Sequence, residues 1–371
     1  MNRRKFLTSV TLSAVGISVI AHGTAGSATS QSEADAAAAR RYNRERRFLD
    51  TDFGRIAYID RGTGQPTLFL HGFPLSSFQW RGMIERLADS RRCLAPDTMG
   101  LGYTEVAPGQ GVTPADQVRM LTTFLDRLSI AKVDVIANDS GGAIAQLFLV
   151  AHPERVRSLL LTNCDVEPDS PPAAVLPIID LARSGTYPEL YLEPWLHHKD
   201  VARSPTGLGG MCYSNPAHPT DAALEQYLGP LVASPARKAL VNRYTLGLSP
   251  NPLQGITARL RECTTPTRIV WGMSDSIFSP QSPNYLARTL PRVLGVRRIP
   301  EAKLFFPEEY PQVMVEEARL LWGEHSASTA CSGQEQEITV PRRSRALAGT
   351  PGTSRAGGAE FGRATRPREI A

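Results

Sequence analysis

The chain has 371 residues, of which 42% are hydrophobic and 21% charged, with a formal net charge of +5. That length and apolar content suit a globular protein of one large domain or two. The positive excess sits at the ends: residues 1–50 hold eight Arg and Lys against four Asp and Glu, and residues 324–371 hold seven against five. The region between is close to neutral, which argues against a nucleic-acid footprint, and the five cysteines (Cys93, Cys164, Cys212, Cys263 and Cys331) have neither CxxC nor Cys/His metal spacing.

In chain order, Arg3-Arg4 precedes Phe6-Leu7, a mild apolar run to about Ala21 and then small residues. This is similar to a twin-arginine export signal, over residues 1–28, with a cut after Ala25 or Ala28. The run is shorter and richer in Ser, Thr and Gly than the roughly 20 apolar residues a stable membrane span needs. A periplasmic or secreted protein, carried by the twin-arginine export machinery, is expected. Residues 29–47, rich in Ala, Glu and Arg, read as a linker or a short helix.

Strands are expected at Phe53–Tyr58, Thr67–Leu70, Arg91–Ala95, Val133–Ala137, Val156–Leu161, Arg268–Trp271 and Gly295–Ile299, each closed by Gly or polar residues. Helical spacing fits Ala115–Leu128, Gly141–Ala151 and Pro311–Trp322. Short strands alternating with helices give an α/β fold, a mostly parallel central sheet covered on both faces. Residues 48–165 and 263–323 form this core. Residues 166–262 are helical and Pro-rich, with Tyr187, Tyr191, Trp195, Tyr213, Tyr227 and Tyr244, and read as an inserted cap. From residue 324 the composition is Ser, Gly, Ala, Thr, Arg and Pro, which buries too little surface to offset its ordering entropy, so a disordered tail is expected.

Three motifs fall at expected strand ends: His71-Gly72-Phe73-Pro74, Asp97-Thr98-Met99-Gly100-Leu101-Gly102, and Val135-Ile136-Ala137-Asn138-Asp139-Ser140-Gly141-Gly142. In this order and at these spacings the chain resembles the α/β-hydrolase fold superfamily over about residues 48–323. The resemblance implies an active site between the cap and the C-terminal edge of the sheet. It also implies a nucleophile on a sharp strand-to-helix turn, with small residues two before and two after it. Centred on Asp139, the flanks are Ala137 and Gly141. Centred on Ser140, the first flank is Asn138, too large for that turn. Asp139 is therefore the favoured nucleophile; the alternative is that it only caps the following helix, and the two roles are compatible.

An Asp at this place is similar to the epoxide hydrolases and haloalkane dehalogenases, which form an ester on the carboxylate. The backbone N–H groups of Phe73 and Ser140 are then the implied oxyanion donors. Dehalogenases usually carry Trp after the nucleophile, where this chain has Ser140, and epoxide hydrolases use cap Tyr hydroxyls. Tyr187, Tyr191, Tyr213 and Tyr227 are the candidates, so an epoxide hydrolase-like reaction on a small, largely apolar substrate is favoured, with no cofactor and no metal. Gly272-Met273-Ser274-Asp275 places Asp275 as the orienting acid, with Asp165 as second choice.

The family's final member, a His in a Gly-His-Phe-Pro-like context, is missing. Aligned on Glu309–Pro311, its position falls on Leu304, and no His lies between 219 and 324. A base is needed to activate the water that hydrolyses the ester. His71, His197, His198, Glu308 or Glu309 are the substitutes the sequence offers, while His152 reads as structural. The alternative is a catalytically disabled or non-hydrolytic, ligand-binding member of the fold.

Overall fold

A computed structural model describes residues 25–324, with side chains from residue 33. The Arg3-Arg4 signal up to residue 24 and the tail from residue 325 lie outside the described residues. Strands are β1 (Arg47–Thr51), β2 (Gly54–Arg61), β3 (Gln65–Leu70), β4 (Arg91–Pro96), β5 (Glu105–Val106), β6 (Val133–Asp139), β7 (Val156–Cys164), β8 (Thr267–Gly272) and β9 (Val293–Ile299). Flanking helices are α1 (Ala25–Glu45), α2 (Arg81–Leu87), α3 (Pro114–Arg127) and α4 (Ser140–Ala151). The insert holds α5 (Leu176–Ser184), α6 (Glu193–His197), α7 (Lys199–Arg203), α8 (Leu208–Cys212), α9 (Asp221–Val232), α10 (Pro235–Leu246) and α11 (Ile256–Leu260). The chain then runs through α12 (Ser282–Thr289), α13 (Phe306–Glu309) and α14 (Pro311–Trp322).

The sheet order is β1-β2-β4-β3-β6-β7-β8-β9, with β5 paired to β2. Strands β1 and β2 are antiparallel to their neighbours, and β4, β3, β6, β7, β8 and β9 run parallel. This is the α/β-hydrolase architecture expected from the sequence, with an inserted helical region between β7 and β8. Every residue of β6 is buried, as strands covered on both faces are. The exposed edge strand β1 alternates only weakly, and the sequence pattern missed it together with the two-residue β5.

Helix α3 starts where a capping box starts it: the Thr113 hydroxyl accepts from Asp116 N–H, the Asp116 carboxylate accepts from Thr113 N–H, and Pro114 opens the first turn. Helix α4 is apolar nearly all round and therefore lies buried. Most of residues 29–47 lies in α1, which docks: Tyr42 donates to the Ser77 carbonyl at 2.7 Å and meets the Phe78 ring edge-on at 5.0 Å. Ala39 and Tyr42, three residues apart on one helix face, are both buried.

Because six strands run parallel, their C-terminal ends share one edge of the sheet. The loops after β3, β4, β6, β7, β8 and β9 collect there, and they carry the motif residues named above. No described helix is long and apolar enough to cross a membrane.

Candidate active site

Strand β6 ends on Asp139 at φ 55° and ψ −133°, and α4 begins at the next residue. A left-handed backbone at a non-glycine residue costs of order 1–3 kcal/mol and is held by its surroundings. Those surroundings explain the glycines. A Cβ on Gly141 would lie 2.5 Å from the Leu70 carbonyl oxygen, and one on Gly142 would lie 2.3 Å from Cys164 Cβ. The turn is thus compressed between β3 and β7, and small residues are what it admits.

The turn presents the Asp139 side chain at the sheet edge, where its Oδ2 accepts from Phe73 N–H at 2.7 Å. The backbone N–H of Ser140 also supports the carboxylate. Burial pushes the Asp139 carboxyl well above the usual range, the charges of Asp165 and Asp275 add to this, and the two N–H groups oppose it. Gly72, beside it, has no room for a side chain: a Cβ would meet Asp139 Oδ2 at 2.6 Å and Phe305 Cε1 at 2.9 Å. The neighbouring Ser140 has its side chain tied to the cap, its Oγ accepting from the Tyr244 hydroxyl at 3.0 Å.

Both candidate acids lie within electrostatic reach of Asp139. Asp275 follows β8 and accepts from Asn163 Nδ2 at 2.7 Å and Ile277 N–H at 2.8 Å. Burial raises it to about 6, against those hydrogen bonds and the Lys303 charge. Asp165 follows Cys164, the residue that pairs with Asp139 across β6 and β7. It accepts from Ser170 Oγ at 2.8 Å, and burial raises it to about 7. Asn163 joins the two ends of this edge, as its amide also exchanges two hydrogen bonds with the backbone of Gly272 at 2.9 and 2.7 Å.

The four cap tyrosines separate sharply. Tyr187 is 1% exposed and packs 5.7 Å from the Phe73 ring. Burial raises its hydroxyl, with contributions from the Cys212, Tyr191 and Asp139 groups around it. Tyr191 packs behind it, at 5.9 Å between rings. Tyr213 and Tyr227 are engaged elsewhere: Tyr213 donates to Glu308 Oε2 at 2.6 Å, and Tyr227 accepts from Arg81 Nη1 at 3.3 Å.

The candidate bases are equally informative. Glu308 is bound by Arg81 at 2.6 Å as well as by Tyr213. Glu309 accepts from the backbone N–H groups of Ser214 and Asn215, both at 2.9 Å. His71 Nδ1 meets the Gly72 carbonyl at 2.9 Å and its Nε2 accepts from Thr98 N–H at 3.0 Å. Burial lowers its pKa, which favours the neutral ring. His197 and His198 are exposed at the end of α6. Leu304 is buried, and its carbonyl accepts from Asn138 Nδ2 at 3.2 Å.

Four polar residues of the site escaped the sequence reading. Gln79 accepts from Gly72 N–H at 2.9 Å and donates to Asn138 Oδ1 at 2.6 Å, so the loop after β3 and the strand before Asp139 are tied through two buried amides. Asn163 and Tyr244 complete the set. The legible signal was a polar residue at the end of an apolar strand, as in Asn138 and Asn163; Gln79 and Tyr244 gave none. Among the described residues no cluster of three or more His, Cys, Asp or Glu is arranged to hold a metal.

Residues 65–193 match the family model of the alpha/beta hydrolase fold. The chain is 31% identical over 276 residues to haloalkane dehalogenase 2 of Mycobacterium tuberculosis, spanning 73% of this chain and 92% of that protein. A shorter match, 34% over 109 residues, links it to a soluble epoxide hydrolase of Corynebacterium sp., covering 29% of this chain and 38% of that one. Among solved structures, an alpha/beta hydrolase fold protein from Burkholderia ambifaria superposes with a TM-score of 0.63 at 24% identity, over 73% of this chain and 96% of that one.

Proposed function

Since the chain belongs to the α/β-hydrolase fold family, with relatives among haloalkane dehalogenases and epoxide hydrolases, we propose that it hydrolyses small, largely apolar substrates through Asp139 as nucleophile. The observation that carries this reading is the Asp139 carboxylate on its strained turn, with Oδ2 held by Phe73 N–H. The backbone thereby orients the carboxylate for attack. An epoxide is favoured over a haloalkane for two reasons: Ser140 follows the nucleophile, and the buried Tyr187 of the insert lies within electrostatic reach of it.

In the first step an Asp139 oxygen bonds to a ring carbon, the carbon–oxygen bond of the epoxide breaks, and its electron pair stays on the ring oxygen. That oxygen takes the Tyr187 proton, and water later restores it. In the second step water adds to the Asp139 ester carbon; one of its protons ends on the leaving alkoxide oxygen and the other returns Tyr187 to its neutral form. The N–H groups of Phe73 and Ser140 receive the oxyanion. Collapse releases the diol and regenerates the carboxylate. Asp275, held by Asn163, and Asp165 are the acids that flank this step.

The second step lacks its usual base, since Leu304 stands at the position the family gives to His. A slow or arrested ester hydrolysis is therefore part of the proposal. The second reading, a ligand-binding member without turnover, rests on the same residue. Incubating the full chain with epoxides and haloalkanes and recording intact mass tests both. An adduct absent from Asp139→Ala supports the nucleophile, and several turnovers per protein refute the disabled reading. Neither adduct nor turnover on any substrate sinks the displacement chemistry.

Twin-arginine export is the accompanying proposal, resting on Arg3-Arg4 and the short apolar run. Replacing both by Lys should leave the precursor in the cytoplasm, and unchanged secretion contradicts it.

A further inference from the structure

Tyr244 lies on α10, in the insert, yet it touches both oxyanion residues of the core. Its hydroxyl donates to Ser140 Oγ at 3.0 Å. Its ring stacks on Phe73, with centroids 5.5 Å apart and planes 19° from parallel. It is 3% exposed, and the Thr98 side chain faces the same hydroxyl. Gly100 makes room for it: a Cβ there would stand 3.1 Å from Tyr244 Cβ, on a backbone already at φ +98°. Phe73 and Ser140 come from different loops, after β3 and after β6. Apart from the Asp139 carboxylate itself, Tyr244 is a single group that joins them.

We propose that Tyr244 is a positioning residue which, from the cap, holds the two backbone donors of the oxyanion pocket in register over Asp139. The inference rests on the displacement reading for its catalytic consequence, but its structural content does not. The tyrosine proton goes to Ser140, so Tyr244 works differently from Tyr187, the proton donor of the proposed ring opening. The ring and the hydroxyl carry separate tasks. The ring covers Phe73 and the hydroxyl fixes Ser140. Seating α10 on the core is thereby coupled to assembling the pocket.

The two tasks can be separated in the full chain by hydrogen exchange on Tyr244→Phe and Tyr244→Leu. Tyr244→Phe keeps the stack and loses the hydroxyl, so amides of residues 139–143 should exchange about three- to tenfold faster, the worth of one neutral hydrogen bond, with residues 72–75 unchanged. Tyr244→Leu should speed both segments, with β8 and α14 unaffected. Exchange unchanged in both segments of both variants overturns the proposal, and so does acceleration spread evenly over the chain.

A kinetic arm uses styrene oxide and 1-bromobutane as probes, with adduct lifetime read per trapped molecule, which a smaller folded fraction does not alter. Tyr244→Phe and Ser140→Ala should each lengthen the lifetime by a similar factor, and the double variant no further. Additive effects count against Tyr244 acting through Ser140. If the wild-type chain forms no adduct while the exchange pattern appears as described, the displacement reading falls and the positioning role stands.

Discussion

Asn138 donates its side-chain amide to the main-chain carbonyl of Leu304 at 3.2 Å. The residue before the candidate nucleophile thus holds the loop that carries Leu304, the residue proposed to stand in place of the family's base. The same amide also reaches Thr162 Oγ1 at 2.7 Å and the Asn163 carbonyl at 3.1 Å. The backbone at Leu304 is anchored by the Asn138 contact.

Placing a His side chain there should therefore restore the chemistry. Leu304→His is expected to shorten the lifetime of an Asp139 ester by 10²-fold or more, the usual worth of a positioned general base. The decay of the adduct by intact mass, compared with the wild-type chain, measures it. An unchanged lifetime means that the loop does not aim residue 304 at the ester.

Tyr187→Phe separates the two substrate classes. Ring opening needs a proton on the leaving oxygen and loss of a halide does not. Adduct formation from an epoxide should slow by 10²-fold or more, while that from a haloalkane should change little. Equal effects on both substrates assign Tyr187 to packing against Phe73 rather than to proton donation.

Gly72→Ala tests the crowding around the carboxylate. The added Cβ meets Asp139 Oδ2 at 2.6 Å, Asp139 Cβ at 2.8 Å and Phe305 Cε1 at 2.9 Å. One of these groups must move, at a cost of about 1–3 kcal/mol in denaturant unfolding. Because a 1 Å misplacement can cost on the order of 10²-fold in rate, adduct formation should fall much further than stability suggests. A variant with full reactivity contradicts the placement of Asp139.

The carboxyl cluster gives the pH dependence its sign. Burial raises Asp275 to about 6 and Asp165 to about 7, both above the ordinary value near 4. Groups raised on folding stabilise the fold while protonated, so their contribution is complete below about pH 4 and is lost as pH climbs through 6 and 7. Melting temperature should fall between pH 5 and pH 8, and Asp165→Asn should flatten that slope. Asp139 is raised as well and must be ionised to attack, so adduct formation should increase with pH over a window in which stability declines. A slope unaltered in Asp165→Asn argues against a buried, protonated Asp165.

Glu308 is expected to matter for folding rather than for proton transfer. Its carboxylate is 1% exposed and bound by Arg81 and Tyr213. Glu308→Ala leaves the Arg81 charge without its partner, at a cost of about 3–5 kcal/mol. The lower figure is expected, because Arg81 keeps 26% exposure. Chemical denaturation measures the loss. A variant as stable as the wild type removes the network from the account of how the cap is tied down.

The sequence by itself determined the alternation of strands and helices, the inserted helical region and the strand-to-helix turn around Asp139. These are local properties. Continuous apolar runs mark strands covered on both faces, and the glycines after Asp139 mark a turn with no room for Cβ atoms. The edge strands β1 and β5 left no such mark, being short or half exposed. What each polar side chain does was decided by tertiary structure alone. Tyr187, Tyr213, Tyr227 and Tyr244 look alike in sequence, but the first packs by its ring on Phe73, while the hydroxyls of the others meet Glu308, Arg81 and Ser140 in turn. Those hydroxyl partners lie 95 to 146 residues away, with no pattern in the local sequence to announce them. A tyrosine's chemistry depends on what stands within about 3 Å of its oxygen, and only the folded chain supplies that.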